Sequence, residues 1–475
     1  MILAVDQGTT GTTCLVVDDC LRPVGRGYRE VHQHFPRPGW VEHDPREILS
    51  TVLVTAEEAL ADAGVRAADV TAMGITNQRE TTVVWERSNG RPVHPAIVWQ
   101  DRRTADRCRE LPVDLVRTRT GLVPDPYFSA TKLEWILSET ALPQSELAFG
   151  TVDAWLVWNL TDGATHVTDV TNASRTMLLD LASGTWDDDL LGLFSIDRAL
   201  LPHVVPSSGV VAEVSLLGAT MPVAGIAGDQ QAALFGQGCF APGEAKATYG
   251  TGSFVLANIG SSLEPVADGL LKTAAATTGE RQYAAEGAVL VAGAVLQWLR
   301  DGLGLFETAA ETEGLARSVT STEGVVFVPA LTGLGSPHWD ADARGLICGL
   351  TRGTTKAHLV RAALEAIAHQ VADVLEVLPV DLDVLRADGG ASENGFLMQL
   401  QADLIGRPVE VAADAEATAL GAAALAGLAT GVWRDTAEVA SLIRRGARYE
   451  PRLPAAGAEG LREAWRLALQ RTLLH

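Results

Sequence analysis

Two stretches of this chain end an apolar run in a carboxylate and follow it with Gly and Thr. Near the N-terminus, Met1-Ile2-Leu3-Ala4-Val5 leads into Asp6-Gln7-Gly8-Thr9-Thr10-Gly11-Thr12-Thr13. Past the midpoint, Val223-Ala224-Gly225-Ile226-Ala227 leads into Gly228-Asp229-Gln230-Gln231, and Thr248-Tyr249-Gly250-Thr251-Gly252-Ser253 follows. A Gly/Thr turn can aim backbone N–H groups and hydroxyls at phosphate oxygens. The neighbouring carboxylates can bind Mg2+ or accept a proton. A third run, Leu385-Arg386-Ala387-Asp388, ends in Gly389-Gly390-Ala391-Ser392 and has the same character. Alone, any of these is only a turn. Together they point to two lobes closing on a nucleotide.

The elements that must hold these turns alternate between strand and helix, which argues for an α/β architecture. Residues 1–30 read as a hairpin or meander, and Pro45 to Ala63 as a helix capped by Asp44. A buried strand spans Val70 to Thr76 and ends in Asn77-Gln78-Arg79-Glu80. Another spans Thr81 to Trp85, before the Asn89-Gly90 turn. Thr131 to Leu137 begins a helix. Pro222 to Ala227, Phe254 to Ala257 and Tyr283 to Ala285 read as strands. Helical spacing covers Val289 to Leu299 and His358 to Leu378. A junction near Pro242-Gly243 divides the chain into residues 1–240 and 241–475.

At 475 residues, two domains are expected. The net charge of −22 argues against a general nucleic-acid or membrane-surface role. Five scattered cysteines form no CxxC pair, which fits a reducing cytoplasm and neither a disulfide framework nor a zinc site. The N-terminus has no basic region before its apolar run, unlike a signal peptide. Ala417 to Trp433, rich in Ala, Gly and Thr, reads as a tightly packed small-residue helix and not a membrane span. No GxxxxGK[ST], no GxGxxG after a strand and no HExxH occurs. His32, His34 and His43 read as loop histidines.

Longer blocks carry a resemblance. They include Asn77-Gln78-Arg79-Glu80-Thr81-Thr82, Ala96-Ile97-Val98-Trp99-Gln100-Asp101-Arg102-Arg103-Thr104 and Asp125-Pro126-Tyr127-Phe128-Ser129-Ala130-Thr131-Lys132. Gly225 to Gly236, Thr248 to Gly252, Gln297 to Asp301, Ala343-Arg344-Gly345, Gly349 to Gly353 and Asp388 to Ala391 continue it in order. From about residue 1 to about 435 the chain resembles the FGGY carbohydrate kinases, and among them those acting on glycerol. The resemblance implies two ribonuclease-H-like lobes of the actin and hexokinase type, with a catalytic cleft between them. It implies ATP and Mg2+ as cofactors and phosphorylation of glycerol to sn-glycerol 3-phosphate. It also implies a homodimer or homotetramer, with no nucleic-acid partner and no membrane insertion.

The resemblance assigns roles residue by residue. Asp229 is the base that takes the substrate hydroxyl proton, although an Asp at a strand-to-helix turn can equally cap the helix. Asp6, with Asp229, is a direct or outer-sphere partner of Mg2+. Arg79 and Glu80 clamp neighbouring hydroxyls; adjacent charges otherwise pair on the surface. Tyr127 and Gln230 add hydroxyl contacts, and Trp99 and Phe254 wall the carbon side. Thr10, Gly11 and Thr251 contact phosphate from opposite lobes. Gly293, Gln297, Gly390 and Asn394 contact the nucleotide. Two departures stand out. Relatives commonly carry an Arg where this chain has Thr13, and another Arg or the metal is expected to compensate for the missing charge. The segment Ser207 to Thr220 lacks the Gly-Lys-Gly loop tied to inhibition by fructose 1,6-bisphosphate and the His that phosphotransferase proteins modify, so insensitivity to both is expected. The alternatives are an FGGY kinase for another small polyol or ketose, and a non-catalytic nucleotide-binding regulator.

Overall fold

The protein's structure, a computed structural model, describes residues 1–474. Two mixed β-sheets organise it. In the first the strands lie in the order Ser208–Leu216, Ala219–Gly228, Ala72–Asn77, Ile2–Gln7, Gly11–Val17, Pro23–Glu30. In the second the order is Leu271–Ala274, Tyr283–Val289, Ser253–Gly260, Glu244–Tyr249, Val384–Asp388, Val409–Ala412, Arg445–Tyr449.

The same pattern underlies both sheets. A central strand (Ile2–Gln7 or Glu244–Tyr249) pairs antiparallel with the strand that follows it, which pairs antiparallel with a third. On its other side the central strand pairs parallel with a later strand (Ala72–Asn77 or Val384–Asp388), and that one with a further parallel strand. This is the duplicated α/β topology expected of two ribonuclease-H-like lobes.

Local sequence explains the packing. The helix Pro45–Ala63 starts where Asp44 accepts the Arg46 N–H and ends at Gly64, whose φ of 65° needs a residue free of Cβ strain. It buries Ile48, Val52, Ala56 and Ala59 against one face of the first sheet. On the other face lies Ala417–Ala429, beyond the expected junction in sequence. It crosses Asp229–Gly236 with backbones nearly touching: a Cβ on Gly421 would lie 1.9 Å from the Ala232 carbonyl oxygen, and one on Gly236 2.0 Å from that of Ala417. The small residues of 417–433 therefore serve close helix contact, and no helix among the described residues is long and apolar enough to cross a membrane.

Two expectations are corrected. The helix expected from Val289 starts at Gly293, because Val289 still pairs with Ser253 in the sheet. His43 is not a loop histidine. It is buried in the short strand Glu42–His43, with Nδ1 3.3 Å from Gln78 Nε2, and burial lowers its pKa to about 4.

Candidate active site

Three parallel strands of the first sheet end together. Asp6 aligns with Thr76, and Thr76 with Ala227. With strands about 4.8 Å apart, the outer two backbones lie about 10 Å from each other. Their carboxyl ends present Asp6, then Gln78-Arg79-Glu80, then Asp229 along one edge, where α/β sheets bind ligands.

Arg79 and Glu80 are not a surface pair. Their side chains are 2% and 1% exposed, and they share a buried cluster with Arg175 and Glu286. Arg79 donates from Nη1 to Glu286 Oε2 at 2.7 Å and from Nη2 to Glu286 Oε1 at 3.1 Å and to the Tyr127 hydroxyl at 3.1 Å. Arg175 donates from Nε to Glu80 Oε1 at 2.6 Å and from Nη2 to Glu286 Oε1 at 3.0 Å. Two cations thus meet two carboxylates. Burial alone would raise the Glu286 pKa, but Arg175 and Arg79 outweigh it and hold it at about 2. Burial dominates at Glu80 and raises its pKa.

Asp229 opens the helix Asp229–Gly236. Its carboxylate accepts the Gln230 N–H at 2.7 Å, lies 3.3 Å from Arg79 Nε, and is 31% exposed. The Asp229 carboxylate therefore both bonds the helix's first turn and faces the open side of the site. Burial raises its pKa against the pull of Arg79. Asp6 is pushed up to about 8 by burial and then by Asp229 and Glu416. A carboxyl crowded by like charges is a place where a divalent cation fits, and Asp6 with Asp229 supplies the oxygen donors that Mg2+ favours.

Gln230 accepts a hydrogen bond from Lys246 Nζ, which also donates to Thr248 Oγ1 at 2.8 Å, so it links the two sheets. Tyr127 is fixed from below: buried Lys132 donates to the carbonyls of Pro126, Tyr127 and Phe128 at 3.0, 2.6 and 2.9 Å. The Trp99 and Tyr127 rings meet edge-on, 5.4 Å between centroids. Trp99 Nε1 also donates to Thr9 Oγ1 at 2.9 Å, tying this aromatic wall to the first Gly/Thr turn. Phe254 stands on the second sheet, opposite Thr248 and Ala288, and no ring contact joins it to Trp99 or Tyr127 among the described residues.

The nucleotide candidates divide between two places. Thr251, Gly293, Gln297, Gly390 and Asn394 line one cavity of about 430 Å³ in the second lobe. Gly293 is dictated by contact: its N–H bonds the Gly250 carbonyl at 2.8 Å, and a Cβ would lie 2.6 Å from that oxygen. Asn394 Oδ1 caps the helix Gly395–Ile405 by accepting the Leu397 N–H at 3.0 Å, and its Nδ2 donates to Thr312. Thr10 and Gly11 lie outside this cavity, on the first-lobe turn closed by Gly8 N–H to Gly11 O at 2.9 Å.

Sequence reasoning missed Arg175, Glu286 and Lys246. The signal for two of them was present. Glu286 is the one charge in the strand Tyr283–Val289, and Lys246 sits in Glu244–Tyr249 among Ala and Thr. A charge inside a buried strand needs a partner. Arg175 follows the helix Val170–Ala173, which Asp169 caps, and nothing local marks it.

The chain is similar to known proteins over nearly its whole length. The N-terminal domain of the FGGY family of carbohydrate kinases matches residues 1–236, and its C-terminal domain residues 245–430. The chain is 53% identical to the glycerol kinase of Leptothrix cholodnii, with 99% of each chain covered. It is 51% identical to the glycerol kinase of Deinococcus radiodurans, covering 99% of this chain and 97% of the relative. Among solved structures, glycerol kinase of Plasmodium falciparum with ADP superposes with a TM-score of 0.95 at 34% identity, covering 100% and 98%. Xylulose kinase of Rhodospirillum rubrum gives 0.89 at 26%, covering 99% and 98%.

Proposed function

Because the chain belongs to the FGGY family of carbohydrate kinases, we propose that it transfers the γ-phosphoryl group of ATP to glycerol, forming sn-glycerol 3-phosphate and ADP. The observation that carries this reading is the buried Arg79–Arg175–Glu80–Glu286 cluster beside Asp229, in a chain 51–53% identical to glycerol kinases over nearly its full length. Glycerol lies with its hydroxyls toward Arg79, Glu80, Tyr127 and Gln230, and its carbons between Trp99 and Phe254. Asp229 takes the proton of the terminal hydroxyl. That oxygen forms a bond to the γ-phosphorus as the bond to the β–γ bridging oxygen breaks and ADP departs.

The geometry suits Asp229 to this work. Arg79 at 3.3 Å favours its ionised form, while burial raises its proton affinity. The nucleoside occupies the 430 Å³ cavity with Gly293, Gln297, Gly390 and Asn394, and its phosphates reach Thr251 and the Thr10–Gly11 turn. Mg2+, held through Asp6 and Asp229, would supply charge neutralisation on the phosphates.

A second reading, a kinase for a ketose, draws on the xylulose kinase likeness, at half the sequence identity. Coupled ADP release across glycerol, erythritol and a ketopentose separates the two. The highest kcat/KM falls on glycerol under this proposal; a ketopentose preferred over glycerol refutes it.

A further inference from the structure

The first phosphate turn has an aromatic neighbour with no role so far. Asp6 lies opposite Thr13 on the next strand, and Thr13 lies opposite Tyr28 on the strand after it. Residues directly opposite across antiparallel strands share a face, so Asp6, Thr13 and Tyr28 form one row. The other face of these strands meets the helix Pro45–Ala63: Thr12 bonds Thr51 at 2.8 Å, and a Cβ on Gly27 would strike the Thr55 carbonyl. The Tyr28 row therefore faces the side where Glu416 sits, and Glu416 is one of the charges felt by Asp6.

The Tyr28 ring leans onto the turn. A Cβ on Gly11 would lie 2.6 Å from Tyr28 Cε2 and Oη and 2.8 Å from Cζ. Gly11 is an ordinary strand residue without a positive φ, so the backbone does not demand glycine there. The phenol does. Thr13, short and directly across, leaves the ring room. Arg26 braces the ring, its guanidinium carbon 5.4 Å from the centroid and its Nε 3.0 Å from Glu416 Oε1. The Tyr28 hydroxyl has no protein partner among the described residues, and the residue is 38% exposed.

A phosphate held at this turn needs a donor that the turn does not supply: its neighbour Asp6 has acidic Asp229 and Glu416 close by, and the Gly8 N–H is already used in closing the turn. We propose that Tyr28 is a further nucleotide contact: its phenol O–H donates to a phosphate oxygen of ATP held at the Gly8–Gly11 turn, with Arg26 and Glu416 as positioning residues. This rests on the ATP-dependent reading above.

The test compares Tyr28→Phe with the parent chain in ADP titration calorimetry and in glycerol-dependent turnover. Loss of one hydrogen bond to a charged group predicts about a 10-fold weaker ADP affinity or higher KM for ATP, with KM for glycerol unchanged. Gly11→Ala displaces the ring and costs a similar factor in the parent, but adds little in a Tyr28→Ala background. Tyr28→Phe within twofold of the parent in both readouts overturns the proposal, as does a Gly11→Ala effect undiminished without the ring. A parent chain that turns over no glycerol refutes the functional reading instead, and ADP titration still tests Tyr28 separately.

Discussion

Replacing Glu286 with Gln tests whether the buried charge cluster is the keystone of the site. Glu286 accepts three hydrogen bonds, two from Arg79 and one from Arg175, and its side chain is 1% exposed. Its pKa falls from 4.5 to about 2 because Arg175, Arg79 and Lys246 together overcome the cost of burial. That difference corresponds to about 3 kcal/mol of stability. The folded pKa is depressed, so this contribution is complete above pH 4.5 and is lost as pH falls from 4.5 toward 2. Gln keeps the shape but leaves the two buried guanidinium groups with only Glu80 and, beside Arg79, the part-exposed Asp229 as anionic partners, and breaking a buried pair costs about 3–5 kcal/mol. Urea unfolding at pH 7 therefore gives Glu286→Gln a loss of about 3–5 kcal/mol, and the gap to the parent narrows as pH drops below 4.5. Glycerol KM rises at the same time, because Arg79 and Arg175 lose the anchor that aims them. A loss under about 1 kcal/mol at pH 7, or a gap that stays constant below pH 4.5, would mean that Glu286 does not anchor the two arginines.

Other outcomes follow from particular contacts. Trp99→Phe removes the indole hydrogen bond to Thr9 and lowers kcat/KM for ATP about 5-fold; Thr9→Val does the same, and the double variant loses no more, as steady-state kinetics on the four proteins shows. Gly421→Ala places a methyl 1.9 Å from the Ala232 carbonyl, forcing two crossed helices apart at a cost of about 1–3 kcal/mol in denaturant unfolding. Fructose 1,6-bisphosphate leaves the rate unchanged, because the segment that would carry its loop is a tight hairpin turning at Leu217-Gly218, both at positive φ; inhibition at millimolar effector contradicts this.

Much of the fold was legible because each Gly-containing turn is announced by an apolar strand and punctuated by Gly. Asp44 and Pro45 marked a helix start that the structure keeps unchanged. The cavity residues Thr251, Gly293, Gln297, Gly390 and Asn394 came from three separate segments, and only their order along a familiar pattern united them. Less legible was whatever depends on pairing across the chain. Arg79 and Glu80 look like neighbours in an ion pair, yet each takes its shortest contact from a residue 95 or more positions away. Val289 ended a strand instead of starting a helix because its partner, Ser253, lies 36 residues earlier. His43 is polar and close to other histidines in sequence, but the site's own Gln78 packs against it.

In the proposed ATP-dependent transfer, Asp229 removes a proton from bound glycerol. Glycerol-dependent ADP release by Asp229→Asn, measured beside its ADP binding, tests it most directly. Turnover is expected to fall by at least about 1000-fold, with ADP affinity within a few-fold of the parent. Asp229→Asn turning over glycerol at a rate near the parent's would contradict it.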